Sequence, residues 1–437
     1  MSGHDPQSTI VALSSAPGRA GVAVLRVSGP RVRFALETTA GIIPPPRLAT
    51  LRVLRDAEGQ VIDRGLVLFF PGPTSFTGED IVEFHIHGSR AVLAALLRHL
   101  TALPGLRLAE AGEFTRRAFE AGKLDLAAVE GLADLIDSET EWQRRQALRQ
   151  MDGALGVLAG QWRTQLLEAM TLLAAEIDFS DEGDVEGPLH DEAMRIAASV
   201  LGSLRRALGS FAMGERVREG FVVVLAGPPN AGKSSLLNAL ARRDVAIVSP
   251  VAGTTRDALE VRLDLDGLPV ILIDTAGLRE SLDPIEVEGV RRARALLERA
   301  DLVLSLRGID SEPYRTAEEV PQIPVATKAD LGGTVLPGER AISVKNGEGL
   351  PELLAAIGEY LRGLGQGEPA LLTRERHRIA VADAIAALER ATKSVGAPSE
   401  LLAEDIRLAV MALERLVGRI GVEDVLDHLF AGFCIGK

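Results

Sequence analysis

The stretch FVVVLAGPPNAGKSSLLNALAR, residues 221–242, constrains this chain more than any other. An apolar β-branched run, a turn rich in glycine and proline, and apolar residues at helical spacing predict a strand, a tight loop and a helix in that order. The loop GPPNAGKSS, residues 227–235, fits the spacing GxxxxGK followed by Ser or Thr. In that context the backbone N–H groups around Asn230, Ala231, Gly232 and Ser235 face the α and β phosphates of a nucleotide. Lys233 reaches the β and γ oxygens, and Ser234 ligates Mg²⁺. A glycine-rich turn that binds nothing is the competing reading, and the flanking elements argue against it.

Three further motifs follow at fitting positions. DTAG, residues 274–277, comes after strand-like VILI, so Asp274 approaches Mg²⁺ through water and Thr275, Ala276 and the Gly277 N–H face the γ-phosphate. GTTRD, residues 253–257, offers Thr255 as a second Mg²⁺ ligand, on a loop through Ser249, Pro250, Val251, Ala252, Gly253 and Thr254 that only a γ-phosphate would hold. TKAD, residues 327–330, follows strand-like IPVA: Thr327, Lys328 and Ala329 lead to Asp330, whose carboxylate can accept two hydrogen bonds from guanine N1 and N2. Adenine cannot offer them. Backbone N–H groups of Ser343, Val344 and Lys345 add contacts to the base. Four spaced motifs together specify GTP.

Composition narrows the rest. Only six of 48 basic residues are lysine: Lys123, Lys233, Lys328, Lys345, Lys393 and Lys437. A chain that writes arginine wherever charge alone is needed keeps lysine where a compact ammonium is required; chance survival would show no relation to motifs. Net charge is −13, which excludes an electrostatic scanner of nucleic acid while leaving room for a local basic face. One cysteine, Cys434, makes neither an internal disulfide nor a thiolate metal site and suits a reducing cytosol. The amino terminus has no basic flank, and no stretch approaches the ~20 apolar residues that span a bilayer, so a soluble cytoplasmic protein without a membrane partner is expected.

The fold class expected is multidomain α+β. TIVAL and VAVLRV, separated by APGRAG, read as two strands; LATLRVL, GLVLFF and DIVEFHIH add three, and AVLAALLRHL a helix. Residues 1–118 form an α+β domain. From Leu124 the period is helical, with Trp142 and Trp162 as packing residues and a break at FSDEGDVEGP. Residues 219–364 alternate strands and helices as an α/β domain with a largely parallel sheet. After the linker GLGQGEPA helices return. Residues 119–218 and 365–437 are therefore the two parts of one all-α domain into which the α/β domain is inserted, with two separate helical units as the alternative.

The α/β stretch resembles the Era-like branch of translation-factor-class GTPases, whose base motif is usually NKxD. Thr327 departs from it, which implies weaker guanine recognition. Leu278 stands where many GTPases place a water-orienting glutamine, so the catalytic group must come from elsewhere. Adding PGRAGVAVLRVSG, FPGPTSFTGED, GEFTRRAF and terminal FCIGK, the chain resembles the tRNA modification GTPase family MnmE, also called TrmE, from residue 9 to 437. The resemblance implies an amino-terminal domain that binds 5-formyl- or 5,10-methylene-tetrahydrofolate and forms a homodimer. Its folate contacts fall on Arg26, Glu83, Lys123 and Lys437. It also implies K⁺ in place of an arginine finger, bound by Asn230 with Ser249, Val251 and Thr254. Glu286 matches the water-orienting glutamate, and Arg256 is a candidate for transition-state charge. Without the resemblance, Glu286 and Arg256 read as surface charges. The implied reaction, with the flavoprotein MnmG, puts an aminomethyl or carboxymethylaminomethyl group on C5 of a wobble uridine of certain tRNAs. GTP hydrolysis drives conformational change, and tRNA is held largely by MnmG.

Other readings stay open. A regulatory or ribosome-assembly GTPase switch without modification chemistry would usually carry an RNA-binding module after the GTPase domain, and no GxxG-type clamp is evident. His85 and His87 share a strand face at a spacing that suits a metal, against ordinary packing or pocket lining. Arg144, Arg145 and Arg149 form a tRNA contact or a solvated helix face. FCIGK is a poor prenylation box. It reads as a tail that folds back to the amino-terminal domain with Lys437, and Cys434 is either a nucleophile or packing.

Overall fold

The computed structural model describes residues 8–178, 188–243, 245–247, 260–274, 296–314, 320–365, 370–394, 397–418, 420, 423–433 and 435–436. The expected break FSDEGDVEGP, Pro188 apart, and residues 366–369 of the linker lie outside them. Two units form: Met1–Ala133, Leu155–Arg163 and Met411–Lys437 make one, and Asp134–Ala154 and Thr164–Val410 the other.

The first unit is built on β1 (Thr9–Leu13), β2 (Ala20–Ser28), β3 (Thr50–Arg55), β4 (Val61–Phe70), β5 (Ile81–Gly88) and β6 (Leu106–Leu108), in the order β3-β4-β5-β2-β1-β6. The five strands expected from the sequence are β1 to β5. All pairs are antiparallel except β1 with β6. Alternation decides the faces. Val67 and Phe69 of β4 and Val82, Phe84 and Ile86 of β5 turn inward and pack with helices Val32–Ala40 and Arg90–Ala102. Glu83, His85 and His87 take the opposite face. Strand β1 is buried on both faces: Val11 joins that core, while Ile10 and Ala12 meet Ala109 and Phe114. Helix Glu423–Ala431 packs against helix Glu113–Glu120, and Arg116 lies 4.9 Å over the Phe430 ring.

The second unit holds β7 (Phe221–Ala226), β8 (Glu260–Leu265), β9 (Leu268–Asp274), β10 (Leu302–Gly308), β11 (Gln322–Thr327) and β12 (Arg340–Ala341), in the order β12-β11-β10-β7-β9-β8. Only β8 runs antiparallel. Its neighbours on the two sides of β7 connect in opposite directions, which opens a crevice at the carboxyl end of β7. Near-continuous apolar runs make this possible: every residue of β10 is buried, as are Phe221, Val223, Val224 and Leu225 of β7. Helices Pro188–Gly209 and Glu375–Lys393, on opposite sides of the α/β stretch in sequence, pack side by side. Helices Glu141–Met151 and Phe211–Glu219 pack on β9 and on each other. Trp142 rests against the core of this sheet, and Trp162 is buried in the first unit. The architecture is multidomain α+β, as the sequence predicts.

Candidate nucleotide site and amino-terminal polar cluster

In the second unit the chain leaves β7 through residues 227–232 and enters helix Lys233–Ala241. Asn230 holds φ 63°, a left-handed conformation that asparagine tolerates. The Lys233 ammonium donates to the Gly227 and Pro228 carbonyls at 2.9 and 3.0 Å, so its charge hangs over the loop that would cradle phosphates. The Ser234 hydroxyl donates to Asp274 Oδ2 at 2.6 Å. Asp274 ends β9, beside β7, and is 2% exposed. Residues 40 apart in sequence thus bring two hard oxygen ligands together, the donor set Mg²⁺ prefers. Ser235 lies exposed one residue further along the helix.

The base-reading loop leaves β11. Lys328 takes φ 61°, and the Ala329 N–H bonds to the Ile342 carbonyl, which lays residues 328–330 alongside Ser343, Val344 and Lys345. The Ser343 hydroxyl donates to Asp330 Oδ1 at 2.7 Å, and Lys345 lies 4.0 Å from Oδ2. The Ser343 hydrogen bond first, with the Lys345 charge, holds the Asp330 carboxyl below the usual aspartate range.

Thr327 is buried beneath the phosphate loop. Its single hydroxyl proton lies between the Ala231 carbonyl at 2.8 Å and the Arg307 carbonyl at 3.0 Å. The side chain therefore ties the base-reading strand to the phosphate loop. Arg307 itself escaped the sequence reading. Its guanidinium is buried in β10, forks onto both Glu339 oxygens at 2.7 and 2.6 Å, and donates to the Ser311 and Thr334 carbonyls. Glu339 raises the Arg307 pKa, and Arg307 lowers that of Glu339. A charge inside the apolar run LVLSLRG was the available signal.

Ser249, Pro250, Val251, Ala252, Gly253, Thr254, Thr255, Arg256, Thr275, Ala276, Gly277 and Glu286 lie outside the described residues, as do Cys434 and Lys437.

In the first unit Arg26 and Glu83 face each other across β2 and β5. Arg26 Nη2 donates to Glu83 Oε1 at 2.9 Å, while His85 Nε2 lies 3.2 Å from Oε2. The Arg26 guanidinium sits 5.8 Å from each of the Phe76 and Phe114 ring centres. Lys123 follows helix Glu113–Glu120 and bonds through its N–H to the Ala118 carbonyl. The FCIGK tail reaches this unit too: Ile435 bridges to Ala111, and Ser14 Oγ donates to the Gly436 carbonyl at 3.1 Å. Gly436 has φ 104°, and a Cβ there would meet the Leu13 carbonyl oxygen at 2.1 Å. His87 Nδ1 pairs with Asp63 Oδ1 at 2.8 Å, and no metal-holding group of three or more side chains occurs among the described residues. Arg144 and Arg145 both pair with Glu141, and Lys393 with Glu389.

A phosphate loop after β7, with Asp274 at the end of the adjacent β9 and the TKAD turn at the end of β11 on the other side, is the arrangement of a P-loop GTPase domain. A family model for the MnmE helical domain matches residues 126–434, and one for the GTP-binding protein TrmE N-terminus matches residues 9–123. A tRNA modification GTPase MnmE of Methylobacterium sp. (strain 4-46) is 56% identical, over 98% of this chain and 99% of that protein. Those of Methylorubrum populi and Azorhizobium caulinodans are 55% and 53% identical, over 99% and 98% of this chain and 98% and 99% of theirs. The chain belongs to the MnmE family of tRNA modification GTPases.

Two outcomes follow from this geometry. Thr327→Val removes the donor shared by two buried carbonyls and should weaken GTP binding about tenfold. Thr327→Asn supplies two N–H donors and should tighten it; calorimetric titration of the three forms checks the order. Guanine recognition needs the Asp330 carboxylate ionised, so it is present above the folded pKa and lost as pH falls through it. Ser343→Ala lets that pKa rise toward the ordinary value, about 3.9, and the acid limb of GTP binding should move to higher pH in a fluorescent-nucleotide titration.

Proposed function

We propose that GTP hydrolysis by this chain serves the modification of tRNA. In this reading an aminomethyl or carboxymethylaminomethyl group is placed on C5 of a wobble uridine. It acts in the cytoplasm, as a homodimer and together with the flavoprotein MnmG, which holds most of the tRNA. The GTPase part rests on one observation above all: Ser234 and Asp274 meet at 2.6 Å beside the phosphate loop, with Asp330 on the loop after β11 of the same sheet. The tRNA part is supported by relatives of that name that match nearly the whole chain.

Lys233 donates to the Gly227 and Pro228 carbonyls, and Ser234 to Asp274. A triphosphate offers Lys233 charged oxygens in place of neutral ones, and charge-assisted bonds are about twice as strong. Mg²⁺, when bound, neutralises charge on the β and γ oxygens; Ser234 and Thr255 would hold it directly and Asp274 through water. Asp330 accepts the guanine N1 and N2 protons. Glu286 would orient the attacking water, Arg256 would add charge near the phosphates, and Asn230, Ser249, Val251 and Thr254 would hold K⁺, which would supply positive charge in place of an arginine finger.

The amino-terminal cluster suits tetrahydrofolate. Glu83 presents a carboxylate whose Oε1 accepts from Arg26 Nε and Nη2 at 3.1 and 2.9 Å, while Oε2, beside His85 Nε2 at 3.2 Å, keeps a lone pair for the amidine-like edge of a pterin. Phe76 and Phe114 flank it with aromatic surface. Arg26, Lys123 and Lys437 offer charge to the one-carbon oxygen or the glutamate tail. Cys434 supplies packing or a thiolate next to Lys437.

Exchange of K⁺ for Na⁺ should lower the GTP hydrolysis rate by at least tenfold; equal rates in a phosphate-release assay would remove the potassium role. Glu83→Gln should abolish binding of 5-formyl-tetrahydrofolate and leave GTP hydrolysis intact. Nucleoside mass spectrometry of tRNA from cells carrying only that variant should show unmodified wobble uridines. Normal modification levels in cells lacking the protein would sink the tRNA reading.

A further inference from the structure

Strands β8 and β9 form a hairpin whose second strand ends at Asp274. The turn of this hairpin, at the far end from the nucleotide, is fastened to one aromatic residue. Gly267 takes φ 89°, and a Cβ there would lie 3.2 Å from Trp142 Cδ1. Its N–H is fixed by Asp264 Oδ1 at 2.6 Å, and its carbonyl accepts the Trp142 N–H at 3.1 Å. The Trp142 side chain packs on the core of the sheet. Thr140 and Gln143 close a capping box around the same helix start, so Trp142 stands on a rigid first turn.

Along its body the hairpin keeps further contact with this region: helix Glu141–Met151 packs on β9, and Arg262 of β8 pairs with Glu139 at 3.4 Å. A cavity of about 430 Å³ opens beside these contacts, with Gln143, Gln146 and Ala147 of the helix and Arg262 and Ile271 of the hairpin among its lining. Close-packed interiors transmit small displacements and a gap does not. A shift of the hairpin therefore reaches the helix at the turn, where Trp142 is packed, and along its contacts with β9. From the helix the connection continues: Gln143 Nε2 donates to the Arg218 carbonyl at 3.1 Å and Gln146 Nε2 to the Gly214 carbonyl at 2.8 Å. Those carbonyls belong to helix Phe211–Glu219, which runs into β7 and the phosphate loop. The path is a ring, with the Ser234–Asp274 hydrogen bond at one end and the Trp142–Gly267 contact at the other.

We propose that Trp142 is a positioning residue for GTP hydrolysis: by pinning the β8–β9 turn it sets the separation of Asp274 from Ser234. The proposal rests on the GTPase reading and adds a residue that touches neither phosphate nor base. Binding draws on the phosphate loop and Asp330, which Trp142 does not touch, whereas turnover needs Asp274 in register. Hydrolysis should therefore suffer more than affinity.

The test uses the full chain, with Trp142→Ala and Trp142→Phe, in steady-state GTP hydrolysis beside a thermal melt. Trp142→Ala should lower kcat about tenfold with KM within about twofold, since small misplacements cost turnover steeply. Trp142→Phe keeps a ring at the turn and should restore most of it. Unchanged kcat in folded Trp142→Ala protein overturns the proposal, as does a loss that Trp142→Phe fails to repair. Should the alanine variant not fold, hydrogen exchange on the unaltered protein decides. Different exchange of the residue 141–151 amides with GDP and with a non-hydrolysable GTP analogue supports the ring; identical exchange overturns it. An unaltered chain that hydrolyses no GTP would instead overturn the GTPase reading.

Discussion

Five parallel strands, β7 and β9 to β12, impose the constraint on which the second unit depends. Strands of this kind are covered on both faces, and their side chains must be apolar nearly throughout. Polar chemistry is thereby pushed to the strand ends, where loops emerge. At the carboxyl end of β7 the chain turns into the phosphate loop; at the end of β9 it leaves Asp274; at the end of β11 it leaves Thr327 and then Asp330. The site is the place where an apolar sheet runs out of sequence it can bury.

The exceptions inside the sheet hold that place in shape. Arg307 puts a buried guanidinium at the end of β10, which is tolerable because Glu339 and surrounding carbonyls occupy its donors. Thr327 puts a hydroxyl next to it and spends the proton on the Ala231 and Arg307 carbonyls. One strand end thus fixes the loop after it, and that loop carries Asp330. The guanine-reading strand and the phosphate loop are mechanically joined through this threonine. In the first unit the logic differs: along the antiparallel strands β2 and β5 one face is apolar and Glu83, His85 and Arg26 take the other, so a polar cluster can form on the body of the sheet rather than at its ends.

Much of this was legible in the chain. GPPNAGKSS, TKAD and the strand runs are local patterns, and each needs only neighbours in sequence to act. Five strands of the first sheet followed from alternation, and Trp142 and Trp162 were legible as packing residues. Arg307 was not legible, because its partner Glu339 stands 32 positions away and neither is marked by spacing. The partner of Trp142 was likewise hidden: nothing local says that a helix of the first helical stretch would set its tryptophan on a turn at Gly267.

By itself the sequence determined the element order, the phosphate and guanine motifs, and the family, since these depend on periodicity and short-range spacing. Tertiary structure alone decided which remote groups meet: Ser234 with Asp274, Thr327 with the phosphate loop, Arg26 with Glu83, and the carboxyl tail with β1 and Ala111. The physical reason is that hydrogen bonds and packing act over a few ångströms in space. A chain records distance only along its length, and strand order and register convert one into the other.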